Sequence, residues 1–241
     1  MKKLITLSLV LSLSLSACAQ WGKRVKGNGN VVSIERNVGD YDAIALAGWF
    51  DVELVAGNEG EITLKGESNL LEYIKTEVKD GKLVIKVEKG VNLKPSNWNS
   101  GIFLSVPVES VNSVTLSGSG DIVGKTTLKA NNFKTRISGS GDITLDIEAQ
   151  SVEASLSGSG DIDLDGKATN LDINVSGSGD IDAYGLNADY VTATVSGSAD
   201  VNVTANVSIN ARVSGSGDIS YRGNPKKIDT KSSGSGDISR G

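Results

Sequence analysis

The chain has 241 residues, with Lys+Arg 24 against Asp+Glu 29, a net charge of −5 and no histidine. That balance offers no overall basic character for a polyanion, so nucleic acid is not an expected partner. Without histidine there is no Ser-His-Asp or Cys-His arrangement and no usual zinc ligand. Cys18 is the single cysteine, so no disulfide framework is available.

The N-terminus reads as an export signal. Lys2 and Lys3 supply a positive start, and Leu4 to Leu15 form an apolar stretch too short to span a bilayer. Two processing sites compete within Leu15-Ser16-Ala17-Cys18-Ala19-Gln20. Leu-Ser-Ala-Cys resembles a bacterial lipobox, which makes Cys18 the lipid-modified first residue and the membrane anchor. Ala17-Cys18-Ala19 also fits the small-x-small site of ordinary signal peptidase, which discards the cysteine and releases a secreted chain. The placement of the single cysteine favours the anchor. Residues 1–19 are thus a targeting segment, and the destination is the cell envelope, as an outer-membrane lipoprotein, or the exterior.

Residues 20–107 predict an irregular β region. Asp42 to Ala47, Phe50 to Val55 and Glu61 to Lys65 alternate apolar and polar side chains, as strands with one buried face do. Asp80-Gly81 is a hairpin-turn signal ahead of Lys82 to Val87. Asn69 to Ile74 predicts one short helix, and Lys94 to Ser100 a polar loop carrying Pro95 and Trp98.

Residues 108–241 are a repeat. Ser-Gly-Ser-Gly-Asp-Ile begins at Ser117, Ser138, Ser157, Ser176, Ser214 and Ser233, with Ser-Gly-Ser-Ala-Asp-Val at Ser196. The starts lie 21, 19, 19, 20, 18 and 19 residues apart. Aligning the copies produces columns of like residues. One column holds Ile122, Ile143, Ile162, Ile181, Val201, Ile219 and Ile238; another runs from Leu116 through Ile137 and Leu156 to Val213. A third runs from Phe133 through Val152 and Leu171 to Ile228, and Ala130, Ala149, Ala168 and Ala188 form a fourth. Stacked columns of β-branched residues exclude a helical coil, and the leucine-rich-repeat pattern is missing. The fold class is therefore all-β: a parallel β-helix or solenoid of roughly 19-residue coils, capped by the irregular N-terminal β region. Ser-Gly-Ser-Gly supplies the tight corner of each coil.

Several segments together resemble a known bacterial family. They are Arg36 followed by Tyr41 to Leu46, Asp51-Val52-Glu53-Leu54 with Gly57, Asn69 to Thr76, Gly81 to Ile85, Val106-Pro107 and the Ser-Gly-Ser-Gly coils. The family is the "putative auto-transporter adhesin, head GIN domain" proteins, and the resemblance covers the chain from about Val31 onward. It implies a β-helical, pectin-lyase-like fold without catalytic residues, and a role in cell adhesion.

The Asp column (among them Asp142, Asp161 and Asp180) has two readings. Repeated Gly-Asp turns in parallel β-rolls hold Ca²⁺ through carboxylates and turn carbonyls, which makes these residues candidate calcium ligands. Those rolls carry a motif at both ends of each coil, whereas here it occurs once. The structural alternative is an Asx-type turn, each carboxylate accepting N–H groups of its own corner. Unit charges ~5 Å apart in water repel by only ~0.8 kcal/mol, so a solvated ladder needs no metal. Asp146, Asp163, Asp165 and Asp182 could pair for glycoside or uronate chemistry, but they recur on outward positions, unlike a unique catalytic constellation. Trp21, Trp49 and Trp98 either seal the end of the solenoid or stack on sugars; Trp98 and Trp49 are the candidate ligand contacts.

The expected function is that of a non-catalytic adhesin binding an extracellular glycan or surface protein, with no cofactor beyond a possible Ca²⁺. The alternatives are a polysaccharide-active β-helix enzyme, a lyase or hydrolase, and a structural scaffold.

Overall fold

The structure is a computed structural model that describes residues 22–97 and 101–241. The expected export signal with Cys18, and Trp21 and Trp98, lie outside the described residues.

From residue 113 the chain winds into a parallel solenoid. After β10 (Ser113–Gly118), each coil is a long, bent strand: β11 (Ile122–Gly139), β12 (Ile143–Gly158), β13 (Ile162–Gly177), β14 (Ile181–Gly197) and β15 (Val201–Gly215). The last coil is shorter, formed by β16 (Ile219–Arg222), β17 (Lys227–Gly234) and β18 (Ile238–Arg240). Each strand pairs in parallel with the next, Ile143 opposite Ile162 and Leu156 opposite Val175. This register puts the sequence columns side by side in one core: Ile122, Ile143, Ile162, Ile181, Val201 and Ile219 are all fully buried. Within β12 the buried positions run Ile143, Leu145, Ile147 and then Val152, Ala154, Leu156. The alternation slips by one around Gln150, which is the second corner of the coil.

Two columns depart from expectation. Ala130 and Ala149 are half-buried, while Ala168 and Ala188 are inside. Ile228 continues the Phe133 column in sequence but is 51% exposed, because among the described residues no further coil covers it.

The same architecture reaches back into the irregular region. β3 (Ala43–Gly48) and β4 (Asp51–Ala56) form a degenerate coil: Ser117 registers with Ala47, Gly118 with Gly48 and Ile122 with Val52. Below β3 lies the antiparallel hairpin of β6 (Ile74–Lys79) and β7 (Lys82–Val87). Its turn is Asp80 and Gly81, both at positive φ (51° and 73°), as a type I′ hairpin requires. Below β4 lie β9 (Phe103–Val108), β5 (Glu61–Glu67) and β2 (Val31–Asn37), the last two pairings antiparallel. The predicted helix is one turn, α1 (Ser68–Leu71), and Ile74 already belongs to a strand. Arg36 closes this turn, donating to the carbonyls of Leu71 (2.7 Å) and Ile74 (2.6 Å). Finally β1 (Lys23–Lys26) and β8 (Val91–Lys94) form a separate two-stranded parallel ribbon.

The corners explain the glycines. At the first Gly of the motif φ is positive, +145° at Gly158, and a Cβ there would lie 2.0 Å from the carbonyl oxygen of Gly139 one coil below. Gly139 meets Gly118, and Gly177 meets Gly158, in the same way. Gly158→Ala therefore combines a disfavoured φ with a backbone clash, and is expected to cost more than ~2 kcal/mol in chemical denaturation. Gly29→Ala, also at positive φ (+77°) but with nothing near its Cβ position, should cost only about 1 kcal/mol. Similar costs for the two would show that coil-to-coil contact is not the source.

Candidate functional site: a groove in the head and an acidic ladder on the coils

The Asp column is an inter-coil ladder. The backbone N–H of Asp142 donates to Oδ1 of Asp121 (3.1 Å), that of Asp161 to Asp142 (2.9 Å) and that of Asp180 to Asp161 (2.8 Å). The series continues through Asp200, Asp218 and Asp237 and starts on Asp51, whose Oδ1 accepts the N–H of Asp121 (3.2 Å). The expectation that each carboxylate serves its own corner is therefore corrected: it binds the corner of the following coil. The cause is the corner itself, where the strand-to-strand ladder lapses and a carboxylate oxygen takes the place of the missing carbonyl acceptor. The next residue restores the regular pattern, Ile143 N–H donating to Asp161 O (2.9 Å).

Beside the ladder runs a shallow concavity of about 290 Å³ lined by Asp121, Asp142, Asp161, Asp163, Asp180 and Asp182. Partial burial, and then the neighbouring charges of Asp182, Asp161, Asp142 and Asp165, push the Asp163 carboxyl above the usual range. Among the described residues no group of three or more acidic side chains is gathered as a metal site would require. Asp142, Asp161 and Asp180 repeat one hydrogen-bonding arrangement, each accepting the N–H of the next aspartate.

The head is different. A groove of about 1080 Å³ opens between the β1–β8 ribbon and the degenerate coil. Trp49 and Asp51 form one side, from the corner where Trp49 and Phe50 replace the second Ser-Gly of the motif. Phe50 is buried, and Trp49 packs edge-on against it (centroids 6.1 Å apart, 65°) while remaining half-exposed to the groove. Phe103 projects from the start of β9, 47% exposed although apolar. Arg24, Asn92 and Lys94 line the ribbon side, and Pro95 and Ser96 extend it. Asp51 is half-buried, and burial pushes its carboxyl above the usual range, outweighing the hydrogen bond it accepts from the Asp121 N–H.

A buried carboxylate fixes this rim. Glu67, fully buried at the end of β5, accepts N–H groups from Gly29 (2.6 Å) and Ser96 (2.9 Å). Only glycine fits at position 27, where a Cβ would meet the Glu67 carboxylate. Thus one side chain ties the loop after β1 to the loop after β8.

Of the candidate ligand contacts, Trp49 lies in the groove and Trp98 is outside the described residues. Phe103, Arg24, Lys94 and Glu67 were not singled out from sequence. A signal for the degenerate coil existed, since Gly48-x-x-Asp51-Val52 keeps the spacing of Gly-x-Gly-Asp-Ile.

This geometry can be set beside known proteins. Residues 40–225 match the family described as "Putative auto-transporter adhesin, head GIN domain". The chain belongs to this family. No curated protein shows significant sequence similarity to it. Among solved structures, a "putative adhesin" from Bacteroides fragilis superposes with a TM-score of 0.84 at 23% identity, covering 90% of this chain and 99% of that one. A "putative lipid binding protein" from Parabacteroides distasonis gives 0.76 at 26% identity, covering 91% and 100%. A "putative adhesin" from Parabacteroides merdae gives 0.74 at 21% identity, covering 91% and 99%. The solenoid with its irregular N-terminal region is thus a fold shared with these solved structures.

The Glu67 clasp carries a pH signature. Burial raises its pKa, but the hydrogen bonds from Ser96 and Gly29 outweigh burial and hold it below the usual carboxylate range. A depressed folded value means the clasp stabilises the head above the unfolded pKa of ~4.3, and the contribution fades as pH falls through the folded value. Denaturation followed from pH 7 to pH 2 should show this acid loss in the parent. Glu67→Gln should be weaker at pH 7 by ~1–3 kcal/mol and should lack that part of the acid dependence.

Proposed function

We propose that the chain is an exported, non-catalytic binding protein of the cell envelope, tethered through Cys18, which attaches to an extracellular glycan or surface protein through the head groove. The observation that carries this reading is the contrast between head and coils. The coils repeat one environment, while the groove is concave, has no counterpart along the repeat, and presents Phe103 and Trp49 among polar side chains. Concavity with a few polar groups among aromatic ones is the usual form of a ligand site. Membership in a family described by adhesion supports the same reading. Against a polysaccharide-active enzyme stand the absence of histidine and the recurrence of Asp163 and Asp182 at one equivalent outward position of successive coils, unlike a unique catalytic pair.

A glycan array with the purified protein tests the proposal. Phe103→Ala removes an exposed ring without opening the core, and should lower affinity for the bound glycan tenfold or more. Asp161→Asn, which keeps an Oδ1 acceptor, should change affinity less than about twofold. Equal effects of the two would take the head out of the attachment. In cells, Cys18→Ala should move the protein from the membrane fraction to the medium or periplasm; a mature N-terminus at Gln20 would instead show ordinary secretion.

A further inference from the structure

We infer that the head groove takes an anionic saccharide, a chain bearing carboxylates on its sugar rings. The inference rests on the groove being the attachment site proposed above and names the chemistry of its ligand.

The argument begins with unpaired cations. Some lysines elsewhere are matched with acids, as Lys75 is with Glu88, Lys125 with Glu53 and Lys134 with Glu153. Among the described residues Lys82, Lys89 and Lys167 are not, but they lie away from any groove that also carries aromatic rings. The side chains of Arg24 and Lys94, which line the groove, have no ion pair or hydrogen bond among the described residues. Nor do the side chains of Lys26 and Lys65. The segments outside the described residues contain no Asp or Glu that could neutralise them.

The fold gathers these charges. In the ribbon Arg24 registers with Asn92 and Lys26 with Lys94, while Val25 and Leu93 turn toward the core. Strand alternation therefore sets Arg24, Lys26, Asn92 and Lys94 on one outer face. On the other side Lys65 is the cross-strand neighbour of Phe103. The carboxylate at the groove, Asp51, already accepts the N–H of Asp121. A protein of net charge −5 thus sets two cations, Arg24 and Lys94, in one groove at its head, where they can steer and pair with an anion.

The aromatic groups favour a saccharide over a bare anion. Trp49 and Phe103 can stack on the apolar face of a pyranose, Asn92 can bond its hydroxyls, and the Arg24 guanidinium fits a carboxylate as a fork. A membrane-binding surface would present several projecting apolar side chains, whereas among the described residues Phe103 is the one large, exposed apolar side chain of this groove.

The test uses the purified chain and a matched panel: oligogalacturonate, oligomeric alginate and hyaluronan fragments, each beside its methyl-esterified form, titrated in calcium-free buffer. The expected result is at least tenfold tighter binding of one acid form than of its ester. That preference should shrink as NaCl rises from about 50 to 500 mM, since screening weakens exposed charges. In Arg24→Glu/Lys94→Glu the preference should disappear while the circular dichroism spectrum is unchanged. Equal binding of acid and ester, or a preference that survives the double reversal, overturns the anionic inference and leaves the glycan-binding reading standing. Binding of phosphatidylglycerol vesicles with no saccharide bound overturns it in favour of a lipid surface. Failure of the whole panel and of a neutral glycan array overturns both readings.

Discussion

Backbone meets backbone at the Ser-Gly-Ser-Gly corner. The carbonyl of one corner glycine occupies the space that a Cβ on the next would need, about 2.0 Å from its ideal position. At that separation the corner N–H groups reach the carbonyls below, as Ser159 reaches Gly139 at 2.9 Å. Fixing the corner fixes the register of both flanking strands, because a one-residue slip would turn every buried isoleucine outward. The aspartate ladder follows from the same contact, since stacked corners bring each Asp N–H against the carboxylate beneath it. Substituting this corner therefore disturbs core, sheet and ladder together.

The solenoid was legible because every column is written several times. Ile143 alone says little, but Ile122, Ile143, Ile162 and Ile181 at near-constant spacing require a stack. The direction of the Asp hydrogen bonds was not legible, because a column identifies neighbours without saying which donor faces which acceptor. The degenerate coil at Ala47–Val52 was hidden by Trp49 and Phe50, bulky residues at positions where the repeat has Ser and Gly. There the Phe50 ring fills the core and Trp49 is left facing the groove.

The head groove was less legible still. Arg24 and Lys94 are far apart in sequence and meet through the β1–β8 ribbon, a pairing that short polar strands do not advertise. Net charge misled in the same place: an acidic total described the coils and concealed a local excess of cations. Glu67 reads from sequence as one more surface acid at a strand end, yet it is fully buried and joins two loops. Local pattern reports regular structure well; sites assembled from several irregular loops lie outside its reach.

The ladder beginning at Asp51 gives the molecule a polarity of scale. Everything that shapes the groove lies before residue 104, and every later coil repeats one interface with its neighbours. Each added coil of about 19 residues would lengthen the rod by about 4.8 Å and add one rung, leaving the head untouched. Coil number thus sets the standoff between the head and the far end of the rod, and it can drift by duplication or loss of a single repeat while binding chemistry stays constant.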